Sequence, residues 1–316
     1  MDDKEYLEIL KLVEVSRLYY EQELTQAEVA QRMRISRPAV SKLLSEARKK
    51  GIVQIEIKSP LESDDDLVSR LKAAFGLKGG LIVPSGSAEG NLMSRLLTSQ
   101  TARYLESRLP SLKKIGLGWG HTIGNLIDEL KVVSPPSGDD GVVCPLMGSA
   151  ANAIKWFQPN ELARMFAEKT GYSPFYLHAP AFPMSADNKK LFENTDQYRH
   201  ISNIWENLDA VILGIGSYPS VPDQATAARF GDRLRKLKAV GMLATYYYDQ
   251  DGNLIEGEND IVIRIPLESL KRAGAVIVLG GGEKKVLSTL GALKTGLVTH
   301  LVADELTARR LIEEFA

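Results

Sequence analysis

The sequence predicts an α/β protein in two parts: an N-terminal helix-turn-helix domain of winged type over residues 1–58, and a larger three-layer α/β domain over residues 59–316. Three observations predict it. The 316 residues are about twice a common domain length. Residues 26–45 hold two short amphipathic helices at helix-turn-helix spacing. From residue 59 onward, apolar runs of strand length alternate with helical stretches, the pattern of a mostly parallel sheet.

Ile9, Leu12, Val13, Ser16 and Tyr20 share one face of a first helix. Thr25 is placed to cap a second helix whose third residue is Glu28, a capping-box pattern. That helix stops near Met33. Ser36 caps a third, with Pro38 in its first turn, where the missing N–H costs nothing, and Val40, Leu43, Leu44 and Ala47 as its buried stripe. Gly51 ends it at a position that favours left-handed backbone, and Ile52–Ile57 alternates as a strand does. A domain boundary belongs near residue 59. Ser59-Pro60 and the acidic run Glu62–Asp66 form a linker, or the acids open the helix carrying Leu67, Val68, Leu71 and Phe75. Beyond it the clearest strands are Gly80–Pro84, Ile115–Gly118, Val142–Met147, Ala210–Gly216, Ala275–Leu279 and Thr299–Val302.

A hydrophobic fraction of 44% and a charged fraction of 25% exclude a collagen-like, disordered or disulfide-stapled chain. Cys144 is the only cysteine, and His121, His178, His200 and His300 are too widely spaced for a metal cluster, so neither a zinc site nor a cofactor is expected. The acidic N-terminus does not read as a secretory leader, and no stretch approaches the roughly 20 apolar residues of a membrane span, so the expected location is cytoplasmic.

The net charge of −1 conceals a local reversal. Residues 1–30 carry three basic and eight acidic side chains, a net −5, whereas residues 31–58 carry eight basic and two acidic, a net +6. Two solvated helical faces of opposite charge would also give this pattern, but the basic half coincides with the third helix. Ala30 is the small residue at the helix crossing; Val29, Ile35, Val40 and Leu43 fill the core; Arg37, Ser41, Lys42, Ser45 and Arg48 remain on the outer face. Such a helix suits the major groove of duplex DNA. Arg37, Lys42 and Arg48 can reach guanine acceptors, Thr25, Gln26, Ser36 and Ser41 can hold phosphates, and Pro38 or Ala39 can meet a thymine methyl. Arg34 stands in the turn where φ > 0 is often needed, at a cost on the order of 1 kcal/mol for a non-glycine.

Three expected strands run into glycine-rich turns: Gly118-Trp119-Gly120-His121-Thr122, Gly216-Ser217, and Gly280-Gly281-Gly282 with Lys285 close behind. In open α/β sheets ligands gather at the carboxyl ends of strands, where glycines admit an anion to backbone N–H groups. A phosphorylated metabolite fits such a cradle, with Thr122 and Ser217 donating hydroxyls and Lys285 a charge-assisted bond, while Lys284 is left to solvent. Strand-to-helix turns also use glycine for purely structural reasons. Trp119 either stacks on a sugar face or plugs the sheet edge. Gly116-x-Gly118-x-Gly120 is not a dinucleotide fingerprint, because His121 occupies the position of the next required glycine. His178 reads as a loop or pocket-lining residue.

Leu18-Tyr19-Tyr20-Glu21, Leu24-Thr25-Gln26 and Ile35–Leu44, followed by Gly116–Thr122, Val211–Ser217, Gly281-Gly282 with Lys285, Gly291-Ala292-Leu293 and Asp304-Glu305 with Ala308, resemble the sugar-binding transcriptional regulators of the SorC family (SorC/DeoR type). The resemblance spans nearly all of residues 6–313. It implies a larger domain like the sugar-phosphate isomerase and deaminase fold, an effector pocket bordered by the three glycine loops, and a homodimer or homotetramer that positions two recognition helices on operator half-sites. The implied partners are double-stranded operator DNA and a sugar or sugar-phosphate effector, with no catalytic residues. Two departures bear on the ligand. Some relatives form a lysine Schiff base where this chain has Met147, and many have Gly-Asp where it has Gly241-Met242, so this side of the pocket is expected to be less polar. The alternative is a sugar-phosphate enzyme with an accessory helical module; Asp187, Asp209 and Asp223 are acids for which no base partner is evident by spacing.

Overall fold

The computed structural model describes residues 3–53, 64–85, 90–131, 141–150, 154–219, 229–258 and 260–314. The chain divides into two compact units, Met1–Pro60 and Leu61–Ala316.

In the first unit α1 (Asp3–Ser16) continues into a π-helical turn, Arg17–Glu21, followed by α2 (Gln26–Met33) and α3 (Arg37–Lys49). Leu12, Val15 and Leu18, spaced three apart, are buried, whereas Ile9 and Val13 of the expected stripe are only half-buried. These side chains close over Val29, Ala30, Val40 and Leu44. Of the strand expected over Ile52–Ile57, Ile52 and Val53 form a bend and the rest lies outside the described residues, as does Ser59–Ser63 of the linker. Of the two readings of the acidic run, Asp64–Asp66 takes the second: the Asp64 carboxylate accepts the Leu67 N–H at 3.0 Å and caps the helix Asp65–Phe75.

The second unit is built on a sheet of β1 (Gly79–Val83), β2 (Lys114–Leu117), β3 (Val142–Pro145), β4 (Ser173–Pro174), β5 (Ala210–Gly214), β10 (Ala275–Leu279) and β11 (His300–Asp304). Among the described residues its order is β1-β11-β10-β5-β2-β3-β4, and every pairing is parallel. Alternate strand residues enter opposite cores. Val211 and Leu213 face the helices Asp65–Phe75, Asp196–Trp205, Val286–Lys294 and Glu305–Glu313, while Ile212 faces Gly90–Glu106, His121–Glu129 and Pro159–Thr170. Burial on both faces explains why the strands read as continuous apolar runs.

A smaller antiparallel sheet, β6 (Gly216–Ser217), β7 (Ala239–Leu243), β8 (Tyr246–Asp249) and β9 (Leu254–Ile255), lies between β5 and β10 in sequence. It accounts for one difference from expectation: the run Ala210–Gly216 ends its parallel pairing at Gly214, and Gly216-Ser217 joins the second sheet. The run Val142–Met147 likewise ends at Pro145, after which Met147 forms an isolated antiparallel bridge with Arg264.

Candidate nucleic-acid interface and ligand site

In the first unit Thr25 and Glu28 form the expected capping box. The Glu28 carboxylate accepts from Thr25 N–H at 2.8 Å and from its hydroxyl at 2.7 Å, while Thr25 Oγ1 accepts the Glu28 N–H at 3.4 Å. The Thr25 hydroxyl holds the Glu28 carboxyl below its ordinary pKa. Arg34 adopts φ 55°, ψ 44°, the left-handed conformation, and Ile35 N–H closes the turn on Ala30 O at 3.0 Å. Ser36 Oγ accepts the Ala39 N–H at 3.3 Å, which starts α3. Thr25, Ser36, Arg37, Pro38, Ser41, Lys42 and Arg48 are exposed, and Gln26 and Ala39 are half-buried. Ser45 is half-buried too. The described residues therefore present α3 as a basic, hydroxyl-bearing helix whose other face is anchored by Val40, Leu44 and Ala47.

The three glycine turns are brought together by strand order. β10, β5 and β2 are consecutive and parallel, so the segments that follow them lie side by side at one edge. From β2 the chain moves outward to β3, whereas from β5 it moves the other way to β10; this reversal is the topological switch point where α/β sheets hold ligands. Gly118 N–H donates to Ile212 O of β5 at 2.9 Å, and a Cβ on Gly118 would lie 2.7 Å from Leu213 Cδ2, so a larger residue there would have to displace that side chain. Gly120, at φ 108°, starts the helix His121–Glu129, which has no side-chain cap. Thr122 packs against Gly214 at the end of β5, where an added Cβ would sit 3.2 Å from the threonine Cβ. Trp119 is half-buried and meets Phe157 and Phe182 edge-on or tilted at 5.8 and 6.2 Å, and exposed His121 meets Phe157 at 5.6 Å.

On the other side of β5, Ser217 Oγ lies 3.1 Å from Ser288 Oγ, and Met242 lies over Gly216. Lys285 ends the turn Glu283–Lys285 and is half-buried; desolvation pulls its ammonium pKa down, and among the described residues no ion pair to it is formed. Lys284 is exposed. In the first glycine turn Gly118 and Gly120 donate to backbone carbonyls, those of Ile212 and Trp156, whereas in the third the acceptors are side chains. Gly282 N–H already donates to Asp304 Oδ2 at 2.5 Å and to Thr307 Oγ1 at 3.1 Å, and Asp304, 2% exposed, also caps the helix Glu305–Glu313 through Thr307 N–H at 2.9 Å. Gly281 is needed because a Cβ there would stand 2.8 Å from the Asp304 carboxylate.

Exposed His178 lines an open cavity with Ser149 and Asn160 beyond the end of β3. Asp209 accepts Lys113 and Lys114 N–H at 2.7 and 2.8 Å, Asp187 is exposed in the first turn of Ala186–Glu193, and Asp223 lies outside the described residues. Buried Cys144 has its thiol pKa pushed far up by desolvation. One cluster carries no signal in sequence spacing: Arg229 and Arg264, with side chains 5% and 11% exposed, share the carboxylate of Asp260.

A family model for the sugar-binding domain matches residues 59–313, and a sigma-70 region 4 model matches residues 14–50. The chain belongs to the SorC family of sugar-binding transcriptional regulators. It is 30% identical to the deoxyribonucleoside regulator of Bacillus subtilis (strain 168) over 96% of this chain and 97% of that protein. It is 29% identical to the sorbitol operon regulator of Klebsiella pneumoniae over 97% and 98% of the two chains. The crystal structure of that full-length Klebsiella regulator, SorC, superposes with a TM-score of 0.73 at 26% identity, covering 99% of each chain. In this SorC-family chain Met242 covers Gly216, and the backbone of Met147 pairs with that of Arg264. Met147 itself is 1% exposed.

Proposed function

We propose that residues 1–58 of this transcriptional regulator read operator DNA through α3, and that residues 59–316 bind a sugar or sugar-phosphate effector at the edge formed by the turns after β2, β5 and β10. The carrying observation is the adjacency of those strands, which gathers the uncapped helix start at Gly120, the hydroxyls of Thr122 and Ser217, and Lys285 at one switch point. An anion there meets free helix-start N–H groups and a lysine whose charge is poorly solvated. Relatives named as a deoxyribonucleoside regulator and a sorbitol operon regulator support this reading and a non-enzymatic role. The effector acts by differential affinity for two arrangements of a homo-oligomer, dimer or tetramer, that carries two recognition helices. Among the described residues no helix is long and apolar enough to cross a membrane.

The test is a thermal-shift screen of sugar phosphates, free sugars and polyols, since a ligand of the native state raises Tm by mass action. Lys285→Ala is expected to abolish the shift and the ligand response of operator binding, with operator affinity in the absence of ligand measured in parallel. A mutant that responds at the same concentration as wild type removes Lys285 from the site.

A further inference from the structure

We infer that the effector carries a carboxylate as well as its phosphate end, and that Arg229 and Arg264 receive it. The inference rests on the ligand reading above and deepens it.

Arg229 Nε and Nη2 donate to Asp260 Oδ1 at 3.0 and 2.5 Å, and Arg264 Nη2 donates to Oδ2 at 2.6 Å. Arg264 Nη1 donates to Thr245 O and Oγ1 at 2.8 and 3.1 Å, and its guanidinium lies 3.6 Å above the Tyr246 ring. Two guanidiniums thus share one carboxylate, and both are nearly excluded from solvent. Among the described residues the cluster keeps a charge of +1, which is costly to hold out of water without a counter-ion. Among the described residues Arg229 Nη1 and Arg264 Nε make no hydrogen bond, so N–H donors remain for a further acceptor.

The cluster belongs to the ligand edge. The Arg229 guanidinium stands 4.9 Å from the Phe182 ring, which also neighbours Trp119 of the first glycine turn, and the backbone of Arg264 pairs with that of Met147, two residues beyond β3. Asp260 and Arg264 also line a cavity of about 280 Å³, at whose border Glu256 is exposed to solvent. A single residual positive charge matches a carboxylate, whereas a phosphate monoester brings −1.5 to −2 and overshoots it. The forked geometry of guanidinium favours the same planar group. Lys285 and the helix start at Gly120 are left for the phosphate. The ligand class is a phosphorylated sugar acid.

The test titrates the full chain with matched pairs differing only in the oxidation of one terminal carbon: glyceraldehyde 3-phosphate and 3-phosphoglycerate, ribose 5-phosphate and 5-phosphoribonate, glucose 6-phosphate and 6-phosphogluconate, with fructose 1,6-bisphosphate as a further arm. In at least one pair the acid is expected to bind about tenfold or more tightly than its aldose, the increment of a hydrogen-bonded charge pair. Arg264→Met should level the pair, and Arg264→Lys should restore part of the preference. Should Arg264→Met fail to fold, Asp260→Asn reads the same cluster by raising the acid-to-aldose ratio, and an unchanged ratio overturns the inference. Aldoses that bind as well as acids in every pair, a bisphosphate that exceeds every acid, or a preference that survives Arg264→Met also overturns it while leaving the sugar-phosphate reading intact. If no member of any pair binds, both readings fall.

Discussion

The two units use the same device, a side-chain cap at a helix start, to opposite ends. In the N-terminal unit Thr25 and Glu28 cap α2 in full solvent, and every partner lies within three residues. In the α/β unit Asp304 caps its helix out of solvent and reaches 22 residues back to hold Gly282. The first cap fixes only its own helix and leaves its neighbours free to meet an external partner. The second joins a glycine turn to a distant helix, so the turn's N–H is committed to the fold. The difference teaches that a glycine-rich turn is not by itself a ligand cradle: of the three, the one after β2 opens onto an uncapped helix, and the one after β10 is partly filled by an internal carboxylate.

Asp304→Ala has the largest expected effect. It strips a cap and a charged acceptor from buried N–H donors and is expected to cost about 3 kcal/mol of stability, read by urea unfolding; a loss no greater than that of Thr25→Ala would erase the distinction. Arg37→Ala leaves the fold alone and should weaken specific operator binding by about 1–3 kcal/mol, with wild-type affinity in a titration removing Arg37 from the reading set. Thr25→Ala should cost about 1 kcal/mol of stability, as solvent-exposed caps do. The smallest effect is expected from Arg34→Gly, a gain of under about 1 kcal/mol, because glycine relieves the left-handed strain but adds freedom to the unfolded chain; a destabilised variant would show that the Arg34 side chain does more than occupy a turn.

The N-terminal unit was legible because its signals are local. The capping box, the Ser36 start, the left-handed Arg34 and Gly51, and the outward face of α3 are set within three or four residues of each other. The π-turn at Arg17–Glu21, which carries buried Leu18, was not, since a 3.6-residue period has no place for its wider turn. In the α/β unit the parallel strands were visible as apolar runs, but the antiparallel β6–β9 sheet was hidden by strands of two to five residues and by Gly216-Ser217 appearing to continue β5. Each glycine turn could be read singly, while their adjacency depends on strand order, which is a property of pairing and not of spacing. Arg229 and Asp260 are 31 residues apart with no periodic relation, so their union appears only in three dimensions.

The charge reversal within the first unit has a consequence for encounter. Glu5, Glu8, Glu14, Glu21, Glu23 and Glu28 stand exposed on one stretch of chain, and Arg37, Lys42, Arg48, Lys49 and Lys50 on the next. A polyanion attracts the basic stretch, which carries α3, and repels the acidic one before contact is made. Approach is therefore already oriented when α3 arrives at the groove, and added salt should slow association by shortening the range over which that alignment acts.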